Sequence, residues 1–176
     1  MIDSHAHLTF KHYSKDLADA LARARQAGVT AIITIGCDLA SSEAAVRLAN
    51  QHADVYASVG IHPHDADTLD ADALRRLEGL ADDPRVVAIG EMGLDYYRDL
   101  SPRHLQERAF RDQIALARRK DLPVIVHDRD AHAKVMQILK EERVSRGVLH
   151  CFSGDLNMAK QAIALDLYLS FAGAIT

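Results

Sequence analysis

Short runs rich in Val, Ile and Leu alternate strictly with helical patterns along this chain, and that alternation restricts its fold more than any other feature. The runs at 1–3, 30–35, 55–59, 86–89, 123–126, 147–149 and 167–171 suit parallel strands covered on both faces. Ser14 stands where it can cap a helix carrying Leu17, Leu21 and Ala24 on one stripe, and Gly28 supplies the left-handed position that stops it. Val46 and Leu48 mark a second helix, and Leu74, Leu77 and Leu80 a third. The long segment 102–120 carries Leu105, Ala109, Ile114 and Ala117; Val135, Ile138 and Leu139 mark a fifth helix, and Met158, Ala162, Ile163 and Leu165 a sixth. Strand, helix, strand at this spacing is an α/β pattern, and the right-handed crossover rule puts the helices outside a parallel sheet.

At 176 residues and 48% hydrophobic, the chain buries a substantial core and reads as one domain over 1–176. A formal net charge of -4 gives no general pull toward nucleic acid or acidic membranes, so recognition of phosphate has to be local or carried by metal. The N-terminus enters a strand at once, without a basic n-region or apolar h-region, and no window reaches about eighteen apolar residues. The expectation is a cytoplasmic protein with no membrane span. Cys37 and Cys151 are too few for a disulfide scaffold and form no Cys-x-x-Cys pair, so they read as buried reduced thiols.

Four of the strands run out at a residue able to bind metal: Ile2-Asp3-Ser4-His5-Ala6-His7, Ile89-Gly90-Glu91-Met92-Gly93, Val124-Ile125-Val126-His127 and Val148-Leu149-His150. Parallel strands of a (β/α) barrel deliver their C-terminal ends to one face, so these residues converge although they lie far apart in sequence. A His-x-His pair alone is weak, and a second one, His62-Pro63-His64, is present as well. Position strengthens the first, because residues two apart on a strand point to the same side and let His5 and His7 grip one ion. Glu91 lies beyond an apolar strand between two glycines, where packing gives no reason for a carboxylate and where its two oxygens can bridge two cations. Taken singly, Glu91 has a surface glutamate as its alternative, while His127 or His150 alone reads more often as a hydrogen-bonded core histidine than as a ligand. Jointly, one carboxylate and four imidazoles at the same ends of different strands point to a metallohydrolase site.

These residues, together with Gly60-Ile61-His62-Pro63-His64, the Leu94-Asp95-Tyr96-Tyr97 that follows Glu91, Asp128-Arg129 after His127 and Cys151-Phe152-Ser153-Gly154 after His150, closely resemble the TatD family of metal-dependent deoxyribonucleases. The resemblance runs through the chain in order at five separate segments, which is far more specific than any single motif. It implies a (β/α)8 TIM-type barrel of the amidohydrolase superfamily with two divalent metal ions at its C-terminal face. By that resemblance, His5 and His7 hold one ion, His127 and His150 hold the second, and Glu91 lies between them as the catalytic carboxylate. Magnesium (Mg2+) is the implied working ion, with zinc (Zn2+) or nickel (Ni2+) able to occupy the imidazoles after purification. The superfamily's other common bridge, a carboxylated lysine, is excluded, because Lys11, Lys15, Lys120, Lys134, Lys140 and Lys160 all fall off the strand ends.

Departures from the family pattern matter too. Thr9 stands where the family usually has an acidic or amide residue, and Ala133 replaces an expected acid; both lie outside the expected ligand set. A closed barrel needs eight strands and usually about 250 residues, whereas this chain stops at Ala174-Ile175-Thr176, directly after its seventh strand. The expectation is a barrel truncated after that strand, lacking the eighth strand, the last helices and the family's Glu-Thr-Asp-x-Pro segment with its metal-binding aspartate. Its open edge would allow oligomerisation.

The activity implied is hydrolysis of phosphodiester bonds in a DNA substrate, single-stranded and attacked from an end, by metal-activated water. Arg129, two residues past a ligand, is placed to fork onto phosphate, while His62 and His64 are substrate contacts or plain loop residues. Arg98 and Arg103 flank the loop after Glu91 and could meet a nucleic-acid backbone; Arg118, Arg119 and Lys120 end a helix, where cations complement its dipole, and are discounted. Tyr96 and Tyr97 offer a stacking surface for a base, or pack into the core. Two other readings stay open: the same metals acting on another ester or amide bond such as an aminoacyl ester, and a catalytically impaired partial barrel acting through its open edge.

Overall fold

The structure, a computed structural model, describes residues 1–173. Strands β1 (Ile2–Ala6), β2 (Ala31–Ile35), β3 (Val55–Val59), β4 (Val86–Asp95), β5 (Val124–Arg129), β6 (Gly147–Leu149) and β7 (Leu167–Leu169) alternate with helices α1 (Leu17–Gln26), α2 (Leu39–Gln51), α3 (Ala71–Leu80), α4 (Arg103–Lys120), α5 (His132–Glu141) and α6 (Leu156–Ile163). The seven strands pair in sequence order, each parallel to the next, and the sheet curls into a partial TIM-type barrel with its helices outside. Ala174, Ile175 and Thr176 lie outside the described residues.

Side chains of alternate strand residues build two apolar layers. Phe110, Leu77, Leu116, Ile138 and Leu139 are fully buried between helices and sheet, each contributing about 1.5–3 kcal/mol by leaving water. Inside the curl, Ile35, Ala88 and Ile125 pack together with Ile33, Cys37 and Val148. That inner layer is an apolar floor beneath the strand ends. No described helix is long and apolar enough to cross a membrane.

Several boundaries differ from the sequence reading. Ser14 does not cap α1: it ends a 3-10 turn at Lys11–Tyr13, its N–H donating back to Lys11 O at 3.1 Å, and Asp16 takes the cap position. Gly28 does end the helix region in a left-handed conformation, with φ +83°. Strand β4 does not stop at Ile89 but continues to Asp95, so Glu91 sits within the strand, at a register shift between Ile89 and Met92. Its two flanking glycines explain how it continues. A Cβ on Gly90 would lie 2.3 Å from Ile125 O, and one on Gly93 would lie 2.0 Å from His127 O, so only glycine lets β4 run this close to β5. Strand β5 likewise carries on through His127 to Arg129, whereas β7 ends early, at Leu169.

The long helix α4 braces the strand ends through two buried glutamines seven residues apart on one face. Gln106 Oε1 accepts from Asp95 N–H at 2.9 Å while its Nε2 donates to Ser101 O at 2.8 Å. Gln113 does the same for the segment after β3, taking both main-chain groups of Ile61.

Candidate metal centre

The C-terminal ends of β1 to β6 surround a cavity of about 720 Å³ whose lining includes His7, His62, His64, Glu91, His127 and His150. His5, with a side chain 7% exposed, lies just beneath it. Arg129, the remaining residue picked from the sequence, reaches the rim, where its guanidinium stacks 3.9 Å over the ring of Tyr97.

Glu91 is the centre of the arrangement, 4% exposed and flanked by imidazoles on both carboxylate oxygens. Oε1 lies 2.9 Å from His127 Nδ1 and 3.9 Å from His62 Nε2. Oε2 lies 3.3 Å from His5 Nε2 and 3.9 Å from His7 Nε2. The Nε2 atoms of His5 and His7 are 3.3 Å apart, and the His5 ring stacks on that of His150 with centroids 3.3 Å apart. Among the described residues, three triads each bring one donor atom per residue within 4.8 Å of the others: His5, Glu91 and His150; His7, Cys37 and Glu91; His62, Glu91 and His127. His62 stands beside His127, their nitrogens 3.3 Å apart, and His150 stacks on His5.

Electrostatics favour the ionised form of Glu91 and the neutral forms of His7, His62 and His150. Burial alone would raise the Glu91 carboxyl, but hydrogen bonds from His127 and His5 outweigh it and hold the group well below the usual carboxylate range. Burial lowers His62 to about 3, against the pull of Glu91, and lowers His150 to about 4 with help from repulsion by His5. Burial and His5 lower His7 as well. His127 goes the other way: burial would lower it, yet its contacts with Glu91 and Asp95 raise it. Neutral imidazoles beside an ionised carboxylate, as His7, His62 and His150 stand about Glu91, are donors a divalent cation takes.

A model of the family described as TatD related DNase matches residues 2–176. The chain belongs to this family. It is 40% identical to an uncharacterised metal-dependent hydrolase, YabD, of Bacillus subtilis (strain 168), covering 100% of this chain and 70% of that protein. It is 39% identical to the 3'-5' ssDNA/RNA exonuclease TatD of Cronobacter turicensis, covering 98% of this chain and 66% of that protein. Among solved structures, YJJV, a TatD homologue from Escherichia coli K12, superposes with a TM-score of 0.95 at 35% identity, over 100% of this chain and 69% of that one. A TatD family hydrolase from Entamoeba histolytica gives 0.89 at 27% identity, over 97% and 64%. The chain thus spans about two thirds of the length of these relatives.

In this TatD family member, sequence reasoning passed over two residues that the fold brings to the centre. Asp95, 1% exposed, accepts from His64 Nε2 at 2.7 Å and His127 Nε2 at 3.2 Å through Oδ2, while its Oδ1 accepts from the N–H groups of Tyr97 and Arg98. It turns the Nδ1 edge of His127 toward Glu91. Its signal was its place on the strand that holds Glu91, hidden because that strand was expected to end at Ile89. Cys37, read as packing only, puts Sγ 3.7 Å from His7 Nδ1 and 3.9 Å from Glu91 Oε2. The discounted cations are engaged elsewhere, Arg119 with Glu78 and Lys120 with Asp82. Arg103 is tied to Asp99 and stacks over Tyr96, which packs against the core and bonds Glu107.

Proposed function

We propose that this chain holds two divalent ions across Glu91 and hydrolyses phosphodiester bonds at the end of a single-stranded DNA substrate, with magnesium as the working ion. The observation that carries the reading is the carboxylate of Glu91, buried with its two oxygens facing separate histidine groups. His5, His7 and His150 would hold an ion on the Oε2 side, and His127 with His62 one on the Oε1 side. Ions there would supply Lewis acidity, easing loss of a proton from water and neutralising charge on phosphate oxygens.

The chain's own residues do the rest. Asp95 orients His127, and Ile35, Ala88 and Ile125 pack as an apolar layer inside the curl. At the rim, Arg129 presents its guanidinium fork to a phosphate beside the exposed ring of Tyr97, on which a terminal base can stack. His64, held by Asp95, points its ring into the same cavity. The relatives described as 3'-5' exonucleases on single-stranded DNA and RNA support the substrate class.

The test is nucleotide release from 3'-labelled single-stranded DNA with magnesium, comparing the chain with its Glu91→Ala variant and a chelator control. Release that both the variant and the chelator abolish is the expected result. Release that survives either of them would overturn the reading.

A further inference from the structure

Cys37 packs on the inner apolar layer and also faces His7 and Glu91. It follows β2 and Gly36, and its main chain is clamped from two sides: its N–H donates to Ser41 Oγ at 2.9 Å and its carbonyl accepts from His62 N–H at 2.7 Å. Next to it, Gly36 O accepts from Glu91 N–H at 3.1 Å. The clamp aims Sγ into the cavity, at a nitrogen of His7 and at Glu91 Oε2, 3.7 and 3.9 Å away. Donors about 2.0–2.3 Å from a tetrahedrally bound zinc ion stand roughly 3.3–3.7 Å from one another. The two sulfur separations, 3.7 Å to His7 Nδ1 and 3.9 Å to Glu91 Oε2, lie at and just above that range, and the three donors lie within 4.8 Å of one another.

We propose that His7, Cys37 and Glu91 Oε2 form a thiolate-containing site selective for zinc and similar thiophilic cations, competing with magnesium for the Oε2 side of Glu91. Magnesium takes oxygen ligands in an octahedron and gains nothing from sulfur, whereas one sulfur, one imidazole and one carboxylate suit zinc and leave a position open. On binding, the Cys37 thiol gives its proton to solvent and its sulfur lone pair to the ion, with no change of oxidation state. Carboxylate Oε1, with His62 and His127, is untouched by the exchange. Zinc bound at Cys37 therefore displaces one working ion and leaves the other side of Glu91 as it was.

The inference rests on the metal reading above, and the experiment separates the two. Cobalt(II) is titrated into the full chain, its Cys37→Ser variant and a Cys151→Ser control, reading bound cobalt by equilibrium dialysis and the thiolate-to-cobalt charge-transfer band by absorption. The band is expected in the parent and in Cys151→Ser and lost in Cys37→Ser. Zinc affinity should fall about tenfold or more in Cys37→Ser while magnesium affinity changes by less than about twofold. Bound cobalt with no thiolate band in the parent would overturn the proposal and leave the metal centre standing; so would a band that persists in Cys37→Ser. Should that variant fail to fold, alkylation of the parent, located by peptide mass mapping, decides instead: zinc must shield Cys37, and equal labelling with and without zinc refutes the site.

Discussion

Gln113 grips Ile61 by both of its main-chain groups, its Oε1 accepting from the N–H at 2.8 Å and its Nε2 donating to the carbonyl at 3.0 Å. One buried side chain on α4 thereby fixes the segment that delivers His62 to the cavity at the strand ends. Gln113→Leu keeps much of the volume but leaves a buried donor and acceptor unpaired, at about 1–3 kcal/mol for each. Urea denaturation should show a loss of about 2–4 kcal/mol. An unchanged midpoint would mean that the segment does not depend on this brace.

Asp95 acts through His127. Asp95→Asn keeps the shape but replaces the acceptor that orients the ring with an uncharged amide. Metal affinity should fall by about 10–100-fold, measured by calorimetric titration, with secondary structure intact by circular dichroism. Equal affinities in parent and variant would show that the ring is aimed by its contact with Glu91 alone.

Gly93 is required for close approach. A methyl group there would meet His127 O at 2.0 Å on a backbone with φ +145°, so Gly93→Ala should cost about 3 kcal/mol or more. At Gly79 in α3 the position a methyl group would take has nothing within 4 Å of it, and Gly79→Ala should instead stabilise by about 0.5–1 kcal/mol. Paired thermal melts decide the matter; similar shifts in both would contradict the packing argument.

The pH dependence of the metal-free chain follows from the histidines. Burial holds His62 at about 3 and His150 at about 4 in the fold, whereas both titrate near about 6.5 when unfolded. Below that value the unfolded chain takes up protons that the fold refuses, so their stability contribution is full above about 6.5 and is lost as pH falls toward 4. His127 opposes this: its pKa is raised, so its contribution is present below the unfolded value and is lost as pH rises through the folded one. In chelator, melting temperature should drop on acidification, less steeply in His62→Gln and more steeply in His127→Gln. A His62→Gln profile parallel to the parent's would refute the burial argument.

How far the chain could be read in advance differed by element. The order of strands and helices was legible because apolar runs covered on both faces, broken by amphipathic stretches, leave few alternatives to a parallel sheet with outer helices. Ser14 misled because a good capping side chain says nothing about the 3-10 turn that takes it out of position. The end of β4 misled because the apolar run stops at Ile89, whereas Gly90 and Gly93 allow β4 to continue against β5.

Sequence by itself determined the α/β alternation, the family and the set of imidazoles and the carboxylate at the strand ends, since each rests on local pattern and residue chemistry. Tertiary structure alone decided the neighbours: His62 beside His127, His150 stacked on His5, Asp95 behind the ring of His127 and Cys37 beside His7. The physical reason is that these contacts depend on the curl and register of the sheet, and a shift of one residue in a strand turns every side chain to its other face.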